Sequence, residues 1–86
     1  MERVLQTKYI YDQNGQQEFI IEVDRDGDSF VGRGLNVDGK VITGDVRVSM
    51  NIEEAARIDA VGAVISGVQG LIIDLIHAHT RHLKHL

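Results

Sequence analysis

The chain has 86 residues, with 13 acidic side chains against 9 basic ones, a formal net charge of −4, and no cysteine or proline. A domain this small buries only about 60–65% of the surface its unfolded chain exposes. The lack of cysteine excludes disulfides, thiolate metal centres and thiol redox chemistry, and leaves oligomerisation as the simplest added source of stability.

The acidic balance offers no basic stretch of the kind nucleic acid selects. No basic segment followed by an apolar run opens the sequence. The longest uncharged run, 60–73, is shorter than the roughly 20 residues a bilayer crossing needs. These features predict a soluble, cytoplasmic chain with no membrane partner, forming one domain over 1–86: a β-rich part at 1–50 and a helix at 51–86.

Three turn signals, Asn14-Gly15, Asp26-Gly27 and Asp38-Gly39, separate β-prone stretches in the first part. Such dipeptides supply the positive φ that tight hairpins need, so the pattern predicts a four-stranded antiparallel meander. The strands are placed near 3–12, 17–25, 28–36 and 41–49. Two-residue loops at the first two turns would set Ile10 opposite Phe19, Ile21 opposite Lys8 and Gly32, and Val23 opposite Phe30. One face then gathers Val4, Ile10, Phe19, Ile21, Val23 and Phe30. A three-residue loop centred on Gly39 adds Ile42, Val46 and Val48 to it, whereas a two-residue loop would place Asp45 and Arg47 there. Gly32, Gly34 and Gly44 leave hollows on the same face, where another element could come close. The opposite face would carry Tyr9, Tyr11, Ile20, Arg33 and Arg47 with Glu18, Glu22 and Asp45.

Asn51 followed by Glu54 is a capping pair that would open the helix. Ile58, Val61, Ile65, Val68, Ile72 and Leu75 then recur at alternating spacings of three and four, a heptad seam suited to helix–helix association. The flank Ala60, Ala63, Ser66, Gly67 and Gly70 is built of small residues. Glycine costs about 1 kcal/mol relative to alanine inside a helix, so this flank is also expected to be covered closely. A single sheet covers only one side of a helix, so the expected architecture is an α+β fold: a four-stranded antiparallel meander and one long C-terminal helix, with helices packing at an oligomer interface. A helix broken at Gly67 or Gly70 and folded back within one monomer is the alternative.

Signals for chemistry are sparse. His79 and His82 fall on the continuation of the seam, where imidazoles three apart could share Zn²⁺ or Ni²⁺; equally, histidines suit the negative end of a helix. Charging of seam histidines near pH 6 would repel across an interface. Asp24, Asp26 and Asp28 with Gly27 lack the spacing of a calcium loop and read as a hairpin turn. Gly32-Arg33-Gly34 lies inside a strand rather than at a strand-to-helix turn, so it is a sheet hollow and not a phosphate loop, although Arg33 could meet an anion. Ser29, Ser49 and Ser66 stand in no nucleophile context, and Glu53 and Glu54 suit a helix start. The expectation is a protein without catalytic activity and without a cofactor.

The order of four strands and then one helix looks like the repeat of the Whirly and PUR-type single-strand binders. The resemblance implies pairing through helices and a curved sheet that holds bases. Tyr9 and Tyr11 would then stack on bases, and Arg33 and Arg47 would contact phosphates; Glu18, Glu22 and Asp45 on that same face oppose a backbone-tracking groove. Three functions are therefore weighed. The first is a non-catalytic homo-oligomeric module that offers a sheet surface or inter-subunit cleft to a protein partner or small anionic ligand. The others are a single-stranded nucleic-acid binder and a metal-assembled structural protein using His79 and His82.

Overall fold

The computed structural model describes residues 1–12, 16–49 and 53–84, excepting the side chains of 54–56 and 80–84. Four strands, β1 (Glu2–Asp12), β2 (Gln16–Asp26), β3 (Ser29–Leu35) and β4 (Val46–Ser49), precede one helix, α1 (Glu54–Lys84). The strands form one antiparallel sheet in the order β1-β2-β3-β4. The expected α+β layout of a meander followed by a helix is the observed one. The helix runs unbroken through Gly67 and Gly70, so the broken-helix alternative falls. The Asn51 and Glu54 capping pair and the Asn14-Gly15 turn lie outside the described residues or side chains.

Register decides which side chains meet the helix. Asp12 pairs with Gln16 and Tyr9 with Phe19, one position away from the expected pairing of Ile10 with Phe19. Because side chains alternate along a strand, this single step turns β1 over. Leu5, Thr7, Tyr9 and Tyr11 share the helix side with Phe19, Ile21 and Val23, and Ile10 faces away and is 44% exposed. Between β2 and β3 the pairing is Ile21 with Gly34 and Val23 with Gly32, two positions from expectation. A two-residue shift preserves the face, so the assignment of Ile21, Val23 and Phe30 to the core holds. Val46 and Val48 pair with Gly32 and Phe30, and Ile42 packs against the same core, as the three-residue loop around Gly39 predicts.

The fourth strand is shorter than expected. After β3 the chain turns through Asn36, whose side-chain oxygen accepts from the amides of Asp38 and Lys40 while Gly39 adopts φ +85°. The Asn36 amide donates to the Lys40 carbonyl, a bridge joins Leu35 and Val41, and the Ile42 amide donates to the Gly34 carbonyl, which continues the ladder a short way. The Thr43 hydroxyl accepts from the Gly34 amide at 2.8 Å, which replaces a main-chain partner and lets the chain swing out before β4.

The core consists of Ile21, Val23 and Phe30 from the sheet and Ala60, Val64, Val68 and Ile72 from the helix. The helix residues recur at every fourth position, a single stripe on one side of α1. A methyl group added at Gly32 would lie 2.2 Å from Val64 Cγ1, and one at Gly34 would lie 3.0 Å from Ile72 Cδ1. Two of the three hollows foreseen in the sheet, Gly32 and Gly34, are therefore sockets for helix side chains of the same chain, whereas a methyl group at Gly44 would meet nothing within 4 Å. Burial of each such valine or isoleucine stabilises the fold by about 1.5–3 kcal/mol as an upper estimate. Near the start of α1, the Arg57 guanidinium lies 5.9 Å from the centre of the Phe30 ring and caps this core.

Candidate interaction surfaces

Among the described residues, the surfaces outside the core include the sheet face away from the helix, the helix face away from the sheet, and two hollows where the helix passes the sheet.

The outer sheet face is organised by Asp24. Its carboxylate accepts from Arg3 Nε at 2.6 Å and from Arg33 Nη1 at 2.8 Å. Arg3 also pairs with Glu22, Arg33 reaches Asp45 at 3.3 Å, and Arg47 pairs with Asp26 at 3.0 Å. The Arg33 guanidinium holds the Asp24 carboxyl below the usual carboxylate range, against the opposite push of burial and with further help from Arg3. Both arginines are in turn held firmly protonated, chiefly by Asp24. Val31 stands between Asp24 and Arg47 in the ladder and is fully buried although it faces away from the helix. The ionic layer thus shields apolar surface beneath it, as long arginine stems can.

This arrangement corrects the expected ligand set. Arg33 and Arg47 do share the outer face, but Tyr9 and Tyr11 lie on the helix side. Tyr11 is 8% exposed, with its hydroxyl 3.4 Å from His77 Nε2, and the Tyr9 ring packs 6.5 Å from that of Phe19. The four residues therefore form no common platform of rings and guanidiniums. The cause is the one-position shift of β1. Arg3, which sequence reasoning passed over, joins the cluster because it sits opposite Asp24.

On the helix, Val68 and Ile72 of the expected seam are fully buried against the chain's own sheet, so they are corrected from oligomer interface to monomer core. Val61 and Ile65 are partly buried beside them, whereas Ile58 is 66% and Leu75 46% exposed. The small flank divides. Ala60 faces the core, and Gly67 lies against β4, where an added methyl would come 2.9 Å from Val46 Cγ1. Ala63, Ser66 and Gly70 are exposed, as is Gly62. Gly62, Ser66 and Gly70 stand four apart and so line one stripe, and an added methyl at either glycine would meet nothing within 4 Å.

Past Ile72 the helix continues beyond the end of β3. On one side of Leu75 it borders an open groove of about 350 Å³ with Ile42, Thr43, Gly44, Leu71 and Asp74. On the other side is a smaller hollow of about 190 Å³, where His79 meets Gln17, Phe19 and Ile76. The larger groove is apolar with one carboxylate and no cationic lining, which suits an apolar side chain better than an anion. Among the described residues no three His, Asp or Glu side chains are grouped to hold a metal. His79 is exposed, and the side chain of His82 lies outside the described set.

The 60–73 run is part of a longer segment, Arg57–His79, which by length and composition alone is apolar enough to cross a membrane. Its buried stripe against the sheet accounts for part of that apolarity. Compared with protein-family models, curated proteins and solved structures, the chain matches none of them.

Proposed function

We propose that the protein is a non-catalytic, self-associating module whose helix pairs with the helix of a second copy and whose groove beside Leu75 receives an apolar segment of a protein partner. One observation carries the reading: the helix side left open by the sheet is lined with Gly62, Ala63, Ser66 and Gly70. Each glycine costs about 1 kcal/mol in a helix interior, a cost with no return on a solvated face. Small residues four apart let two helix backbones approach closely, and the flanking Ile58 gains cover in the process. The groove's single charge is Asp74, so a protein segment fits it better than the small anionic ligand also considered.

The test is native mass spectrometry of the untagged chain beside Gly70→Leu, at an exposed position where an added Cβ meets nothing within 4 Å in the monomer. The expected result is an oligomer for the parent chain and a lower mass for Gly70→Leu, with circular dichroism unchanged. A parent chain that is monomeric at tens of micromolar would overturn the reading.

A further inference from the structure

The two edges of the sheet are unlike. The β4 edge is four residues long and follows an irregular segment containing Gly44 and Asp45, so it offers little ladder to another strand. The β1 edge is eleven residues long, and its helix-side positions Leu5, Thr7, Tyr9 and Tyr11 carry no charge. Proteins that remain monomeric blunt such edges with proline, charge (lysine above all), bulges or extreme shortness. β1 has no proline and is not short; its bulge, between Arg3 and Leu5, and its helix-side charge, Glu2, lie at its start and leave a regular ladder from Leu5 to Asp12, on which Lys8 is the one cation.

On the outward side of this ladder, Lys8, Ile10 and Asp12 follow one another at every second residue, and all three are exposed. The order cation, apolar, anion is complementary to itself when reversed. In an antiparallel pair with a two-fold axis at Ile10, Lys8 faces Asp12 of the second copy, Ile10 faces its own counterpart, and Asp12 faces Lys8. On the helix side the same register sets Tyr9 opposite Tyr11. Directly opposed charges and aromatic rings are the pairs that stabilise antiparallel ladders. A register centred on Lys8 would instead oppose two ammonium groups. We infer that the β1 edge is a docking surface for the β1 edge of a second copy, antiparallel and centred on Ile10, extending the sheet from four strands to eight. This contact is independent of the helix contact proposed above and lies on a different part of the molecule.

The test uses the absence of native cysteine. Directly opposed residues in an antiparallel ladder have Cα atoms about 4.5–5.5 Å apart, within the range a disulfide spans. The full chain carrying Ile10→Cys is expected to form a disulfide-linked dimer under mild oxidation. Gln6→Cys, exposed on the same outward side, is expected to remain free, because its copy lies eight positions away, roughly 26 Å. Adding Lys8→Glu to Ile10→Cys should slow cross-linking about tenfold or more, since two attractive pairs become repulsive. Adding Asp12→Lys as well should restore the rate. Gly70→Leu in the Ile10→Cys chain should leave cross-linking intact, which separates failure of this contact from failure of the helix contact. Equal cross-linking at Gln6 and Ile10, no cross-linking at Ile10, or no restoration by the charge swap would each overturn the inference.

Discussion

Gly32→Ala is the substitution that most directly probes how the helix is seated. The added methyl would lie 2.2 Å from Val64 Cγ1 and 3.2 Å from Val68 Cγ2, with the Glu22 carbonyl oxygen 3.4 Å away on the third side. Carbon atoms rest comfortably at about 3.5–4.0 Å, so the nearest contact must open by more than an ångström. Val64 is fully buried and β-branched, and such residues keep one rotamer in a helix, so the helix has to lift. Overpacking of this kind costs about 1–3 kcal/mol. Against it, alanine reduces the freedom of the unfolded chain and returns about 0.4–1 kcal/mol. The expected net loss is about 1–2 kcal/mol, or about 5–15 °C in Tm for a domain of this size. Urea unfolding at one fixed protein concentration measures it, with Val64→Ala and the double variant completing a cycle. Val64→Ala alone should cost about 1.5–3 kcal/mol. The pair should cost less than the sum by about 1–2 kcal/mol, because the new methyl occupies the space vacated by Val64. A stabilising Gly32→Ala, or additivity within about 0.5 kcal/mol, would refute the socket.

Two further outcomes follow from the same packing and from the ionic layer. Gly67→Leu is expected to lower thermal stability by about 1–3 kcal/mol even in dilute solution, because its Cβ would meet Val46 at 2.9 Å; a melt matching that of the parent chain would show that β4 does not press on the helix there. Asp24→Asn is expected to weaken the fold at neutral pH and to flatten its acid sensitivity. The folded-state carboxyl is depressed by Arg33, so its contribution is complete above the unfolded value of about 3.9 and is lost as pH falls through the folded value. Unfolding curves at pH 7 and across the range below about pH 4 check this, and an acid limb as steep as that of the parent chain would count against the Asp24 network.

Element order and the core positions Ile21, Val23 and Phe30 of the sheet were legible because they depend on features the sequence displays. The spacing of the glycine turns gave the meander, and the parity of Ile21, Val23 and Phe30 survived a register error of two positions. The faces of β1 were not legible. One position of register, set by how many residues separate Asp12 from Gln16, moves Tyr9 and Tyr11 from one side of the sheet to the other, and Asn14-Gly15 does not announce that count. The heptad reading of the helix erred for a different reason. It followed apolar residues at alternating spacings of three and four, whereas the sheet selects the every-fourth stripe Ala60, Val64, Val68 and Ile72 that fits over Gly32 and Gly34. The two glycines, two apart in a strand, were the available signal. They mark where a helix settles, and they could have been read as sockets for this chain's own helix rather than as room for a neighbour. Arg3 was missed because its partner Asp24 is visible only once β1 is paired correctly.

The covering helix follows all four strands in the chain, and this order bears on synthesis. A ribosome adds about 5–20 residues per second, so Phe30 is made a few seconds before Ile72. Until Ile72 is made, Ile21, Val23 and Phe30 have no helix to cover them, and the β1 edge has only its own strands to pair with or those of another chain. Slow translation through 31–72 therefore prolongs the stage most prone to aggregation, and a chaperone that shields apolar strands would have its use here, before the helix is complete.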